Sequence, residues 1–141
     1  MPEILTKHLE FIQAAISRMA SNSFLLKGWT VTLTAGLFAL AAKDAKPAFA
    51  VIALLPALAF WGLDAYYLRC ERLFRALYDE LRIGSSSAAT IVEPFSLSTK
   101  AFEARVPSWF RTLWSRSIIA LHGAVVCVVL SAITLLFVLN K

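Results

Sequence analysis

Residues 47–83, PAFAVIALLPALAFWGLDAYYLRCERLFRALYDELRI, constrain the chain more than any other stretch. Its first part, 47–68, carries about the 20 apolar residues that crossing a bilayer requires. Charges begin at Arg69, yet from there no Gly or Pro interrupts before Gly84, so helix is the default continuation. At about 1.5 Å per residue the whole stretch spans roughly 55 Å, against about 30 Å of hydrocarbon. The excess, 69–83, has to stand in water as a helical stalk.

Composition agrees. With 59% hydrophobic residues and a mean hydropathy of +0.69 over 141 residues, the chain is too apolar for an ordinary soluble domain. The net charge of +5 then matters less as a sum than in its distribution along the chain. Cys70 stands at a membrane edge and Cys127 in an apolar run, without metal-ligand spacing, so both are expected free and reduced. The start, MPEILTKHLEFIQ, puts Glu3, His8 and Glu10 where a signal peptide needs apolar residues, so none is expected. We find no repeat, metal cluster, phosphate loop or nucleophile constellation, and expect neither an enzyme nor a cofactor.

Residues 3–20 read as an amphipathic helix in which Leu5, Leu9, Ile12, Ile16 and Met19 form a heptad seam. The seam suits packing on the chain's own stalk or self-association into a bundle. Ser21-Asn22-Ser23 offers a local break or a recapped helix start. A first span is expected at 24–42, where Gly28, Thr32 and Gly36 make a stripe of small residues that lets membrane helices approach closely. Thr30 and Thr34 lie on a neighbouring face, bonding back to their own helix or lining a pore. Lys43 to Lys46 is a tight connection and Pro47 suits a helix start, so the first two spans form an antiparallel hairpin. Pro56 should kink the second span. Residues 84–99 read as a flexible cytoplasmic loop and 100–116 as a Trp- and Arg-containing helix at the headgroup level. The third span, 117–139, carries His122 near its start.

Eleven of the fourteen Lys and Arg residues fall in the N-terminal segment and in 69–116. By the positive-inside rule both lie in the cytoplasm and the C-terminus outside, in the cell inner (cytoplasmic) membrane. The fold class expected is therefore an all-α membrane protein. It has three transmembrane helices, an N-terminal cytoplasmic amphipathic helix and a long second helix reaching into the cytoplasm, assembled as a homo-oligomeric bundle in membrane lipid.

In an antiparallel hairpin turning near residue 44, facing residues have numbers summing to about 90, which sets Lys27 against Asp64 and Arg18 against Glu71. Asp64 and Glu71 share a face, but Arg18 and Lys27 lie on opposite faces of an unbroken helix. Both pairs form within one hairpin only if the helix breaks at 21–23, and Lys27–Asp64 is the stronger expectation. His122 enters at a similar depth, so Lys27, Asp64 and His122 form either a satisfied packing network or a gate. On the stalk, Arg69, Arg72, Arg75 and Arg82, with Lys100 and Arg105 after it, are solvated or paired, or in an oligomer make a ring for a polyanion.

The strings WGLDAYYLRCERLFRALYDELR and KHLEFIQAAISRMASNSFLLKGW resemble small bacterial membrane effectors of nucleotide-signal anti-phage systems, in particular the channel effector of the Hailong defence system. The resemblance covers residues 7–82. It implies an oligomeric ion channel held shut by a ligand, a DNA oligomer, made by a nucleotidyltransferase partner. No ligand-binding motif of that group maps onto particular positions here, so the site candidates rest on charge and topology. The functional expectation is a channel gated from the cytoplasm. Its rivals are a non-conducting membrane adaptor that binds a partner protein through its cytoplasmic helices and, more weakly, an enzyme using His122, Asp64 and Cys70.

Overall fold

The computed structural model describes residues 2–44, 47–83 and 95–139. Helix α1, Pro2–Asp44, is a single rod of 43 residues. The break considered at Ser21-Asn22-Ser23 does not form. No Gly or Pro forces one there, and Ser23 turns its hydroxyl towards Asp64 of another helix rather than capping its own. Helix α2, Pro47–Ile52, leads through a turn at Ala53 into α3, Leu54–Ile83. Pro56 explains where the turn falls: it has no N–H, and its ring crowds the carbonyl four residues earlier, at Ile52. The helical path survives, because Ala53 N–H still donates to Phe49 O at 3.1 Å and Ala57 N–H to Ala53 O at 3.4 Å. Beyond the kink α3 runs from apolar to charged sequence unbroken, as its composition requires.

Residues 95–99 are irregular and the rest of the expected 84–99 loop lies outside the described residues, as do Ala45 and Lys46. The single helix expected over 100–116 is not formed. A 3-10 turn at Lys100–Phe102 is followed by a separate α4, Trp109–Leu113. Pro107 disfavours helix in the residue before it, and Ser108 starts α4 afresh by accepting a hydrogen bond from Arg111 N–H at 3.4 Å. The third span is α5, Arg116–Ile118, a π turn, Ile119–Gly123, and α6, Ala124–Leu139.

Three helices are long and apolar enough to cross a membrane, and no strand occurs among the described residues. The packing has two regimes. Outside the spans, Ile12 and Ile16 of α1 bury against Leu73, Leu77 and Leu81 of α3 and Phe102. The heptad seam is thus engaged by the chain's own stalk, with Leu5 at its end left exposed. Inside the spans the buried apolar positions are mostly alanine, Ala41, Ala50, Ala53, Ala57 and Ala65, which let helix backbones come close. The large side chains point outward there: Leu55, Leu135 and Phe137 are all exposed, as a hydrocarbon solvent allows. Gly28, Thr32 and Gly36 also face outward, with no neighbour within 4 Å of a Cβ at either glycine.

Ile12→Ala and Leu77→Ala, each deleting a fully buried side chain, should cost about 2–4 kcal/mol. Leu5→Ala, at a half-exposed position, should cost under about 1 kcal/mol. Thermal unfolding of the detergent-solubilised protein by circular dichroism measures this. If Ile12→Ala left the melting temperature untouched but dissociated an oligomer, the seam would serve contacts between copies instead.

Candidate functional site

The site is assembled by a carboxylate that has no access to solvent. Asp64, on α3, is completely buried. Lys27 of α1 places its ammonium 2.8 Å from Oδ1 and 2.7 Å from Oδ2, and Ser23, one turn earlier on the same face, donates its hydroxyl to Oδ1. Lys27 Nζ also donates to Ser23 Oγ at 2.8 Å. From the third span His122 approaches with Nε2 2.9 Å from Oδ2. A carboxylate only accepts, so His122 donates from Nε2, and Nδ1, also buried, has no partner among the described residues. The carboxylate therefore accepts from three side chains on two other elements, and Lys27 supplies the opposite charge that a buried anion needs.

Local structure explains the convergence. Ser23 and Lys27 are four apart and share one face of α1 only because that helix continues through 21–23. His122 belongs to the π turn, whose wider winding is rare in helices and concentrates at functional positions. Trp61, three residues before Asp64, lies nearly parallel to the His122 ring, at 11° and 6.3 Å between centroids. It is fixed by its indole N–H bond to Leu113 O, 3.1 Å.

The cluster also marks a level. From it to the far end of each span, residues 27–44, 47–64 and 122–139, is 18 residues in every case. At 1.5 Å per residue that is about 27 Å, close to the hydrocarbon thickness. The charged groups thus sit at one boundary of the hydrocarbon rather than in its middle. All four tryptophans gather in the same layer: Trp29 follows Lys27 by two residues, Trp61 precedes Asp64, Trp109 bonds to Gly62 O at 3.0 Å, and Trp114 packs edge-on to Trp61. Tryptophan belts occupy this depth in membrane proteins.

Lys27, Asp64 and His122 are therefore brought together, and the network is satisfied apart from Nδ1. The other pairing is not made within the subunit. Glu71 binds Arg75 at 2.7 Å, and Arg18 is exposed, as helix phase demands of an unbroken α1. Thr30 is buried and donates to Leu26 O at 2.7 Å, satisfying its own helix rather than a pore. Thr34 is buried, its hydroxyl without a partner among the described residues, and borders a groove of about 270 Å³ with Val31, Phe38, Val125 and Val128.

The six basic candidates divide. Arg75 pairs with Glu71, Arg82 with Asp79 at 3.7 Å, and Arg105 with Glu80 at 2.6 Å while lying 5.4 Å over the Phe102 ring. Arg69 keeps a buried Nε without a partner among the described residues. Arg72 is partly buried and Lys100 exposed. A cleft of about 250 Å³ opens at Arg75, bordered by Gln13, Ile16, Tyr78 and Asp79. Among the described residues no three His, Cys, Asp or Glu side chains gather to hold a metal.

Sequence reasoning missed Ser23, Trp61 and the π turn. Ser23 was signalled by its four-residue spacing from Lys27, whereas the winding at 119–123 leaves no mark in composition.

No protein-family model matches this chain, and neither a curated protein nor a solved structure shows significant similarity to it. The class therefore rests on the fold itself: an all-helical multi-pass membrane protein with a helical part projecting beyond its spans.

Asp64→Ala leaves Lys27, Ser23 and His122 without their acceptor and should destabilise the protein by about 3–5 kcal/mol. His122→Ala removes one donor and should cost about 1–3 kcal/mol. Thermal unfolding in detergent compares them. A neutral Asp64→Ala would contradict the cluster's structural role.

Proposed function

We propose that the chain is the subunit of a homo-oligomeric membrane channel gated from the cytoplasm, with its N-terminus and the 69–116 region inside and its C-terminus outside. The observation that carries this reading is the buried Asp64 cluster, which ties three membrane-crossing helices together at the level where α1 and α3 leave the hydrocarbon. Both helices continue without a break into the aqueous bundle. A displacement of that bundle is therefore carried to the cluster by rigid rods, and loosening one carboxylate frees three helices at once.

Three helices enclose too little space to conduct, so a pore requires several copies. The outward stripe of Gly28, Thr32 and Gly36 suits close contact between membrane helices of neighbouring subunits. In such a ring the stalk arginines repeat around the axis. Arg75 is already at the mouth of a cleft, with its guanidinium exposed although its partner Glu71 is largely buried, and a phosphate there would gain a charge-assisted contact. The ligand class is thus a polyanion. The resemblance to anti-phage effectors narrows it to a nucleotide or DNA oligomer supplied by a nucleotidyltransferase, with the bound ligand holding the channel shut.

An adaptor function is the second reading, and it has its own support. Ile4, Phe11 and Phe95, 49%, 56% and 48% exposed, offer a partner protein large apolar side chains outside the spans.

Potassium flux from liposomes containing the purified protein decides between them. Asp64→Asn should raise the flux, short single-stranded DNA should suppress it, and Arg72→Gln/Arg75→Gln/Arg82→Gln should abolish that suppression. The log–log salt slope of DNA binding should also fall by roughly 0.7 for each phosphate that the variant no longer neutralises. Absence of flux from the wild type and Asp64→Asn alike would leave the adaptor.

A further inference from the structure

Beside the Asp64 cluster the boundary layer contains a second feature that the channel reading does not use. Leu58, Trp61 and Gly62 of α3 and Trp109, Leu113 and Trp114 of the α4 segment enclose a groove of about 310 Å³. Its walls are rigid. Trp109 and Trp61 spend their indole N–H groups on Gly62 O and Leu113 O, and Trp61 meets Trp114 edge-on at 6.1 Å. With both indole donors engaged, the groove offers an occupant mainly apolar surface. It is open to the surroundings, since Leu58 is 53% and Trp114 66% exposed.

The segment that forms one wall also carries cations. Arg111 lies between Trp109 and Leu113 in the chain, and Arg116 follows Trp114 by two residues. Both are exposed, and neither has an acidic partner among the described residues. An apolar slot whose wall segment carries two exposed, uncompensated cations, at the depth of a tryptophan belt, matches a molecule that is apolar at one end and anionic at the other. At that depth the bilayer itself supplies one.

We propose that this groove seats an anionic phospholipid of the adjoining leaflet, its acyl chain against Leu58, Trp61 and Trp114 and its phosphate on Arg111 and Arg116. The seated chain would touch Trp61, which is stacked on His122. Lipid composition thereby bears on the ring that donates to Asp64 Oδ2. The site does not require that the protein conduct.

The test uses the full-length protein in phosphatidylcholine vesicles containing a small fraction of lipid brominated on its acyl chains, read by quenching of tryptophan fluorescence. Bulk contact quenches equally whatever the headgroup, so the measure is the ratio between brominated phosphatidylglycerol and brominated phosphatidylcholine at equal mole fraction. A basic residue near the surface contributes about 1 kcal/mol for anionic lipid, so the ratio should favour phosphatidylglycerol by about fivefold or more at low occupancy. It should fall towards unity in Arg111→Gln/Arg116→Gln and in Leu58→Phe, which fills the groove from a lipid-exposed position. Equal quenching in the wild type overturns the proposal without recourse to any variant, and is the outcome expected if a second copy's helix fills the groove. A preference that Leu58→Phe leaves intact overturns it too, because lipid would then be recruited by surface charge alone.

Discussion

A carboxylate without water is the constraint from which the rest of this structure follows. Asp64 is fully buried at the edge of the hydrocarbon, where an unpaired anion would cost several kcal/mol even after relaxation. It persists because Lys27, Ser23 and His122 reach it from α1 and from the third span. Each partner imposes a condition on its own element. Ser23 and Lys27 require α1 to remain helical through 21–23. His122 reaches Asp64 from the widened turn that follows the first residues of the third span. The depth of Asp64 in turn sets where each span begins. Apolar packing alone fixes none of these, since hydrocarbon is as good a neighbour to leucine as another helix is.

The two ends of the long helices are held by different forces, which bears on how they move. Beyond the spans, Ile12, Ile16, Leu73 and Leu77 bury apolar area against water, a non-directional attraction that tolerates small sliding. At the boundary the hydrogen bonds of Asp64 are directional and have no water to replace them. Displacement of α1 against α3 is accommodated in the aqueous bundle and resisted at the cluster. The interaction either holds or is lost as a unit, which is the property a gate needs and also the property of a structural clamp.

Much of this was legible in the sequence. The three spans, the stalk continuous with the second span, and the Lys27–Asp64 contact follow from apolar length, the absence of Gly and Pro after Arg69, and hairpin arithmetic. The helix-phase test also made Lys27–Asp64 and Arg18–Glu71 mutually exclusive within one unbroken hairpin, and Glu71 is found on Arg75. What was not legible has physical causes. Three successive polar residues at 21–23 resemble a helix break because serine and asparagine favour caps, and only a buried acceptor in another helix reveals that Ser23 has a different use. Pro107 and Ser108 divide the 100–116 segment at a point that its aromatic and basic content disguises. The π turn, which carries His122 to Asp64, has no signature in composition. The basic candidates carry a charge pattern compatible with several partners, and among the described residues Glu71, Asp79 and Glu80 take Arg75, Arg82 and Arg105.

The central claim is that Asp64 joins α1 to the third span, so that Lys27 and His122, which belong to different helices, are energetically coupled through it. A thermodynamic cycle measures this most directly. Lys27→Met, His122→Phe and the double variant are compared by thermal unfolding, once with Asp64 in place and once in an Asp64→Leu background. With Asp64 present the two substitutions should be non-additive by about 0.5–3 kcal/mol, and the coupling should vanish with Asp64→Leu. Additive effects in the presence of Asp64 would contradict the account.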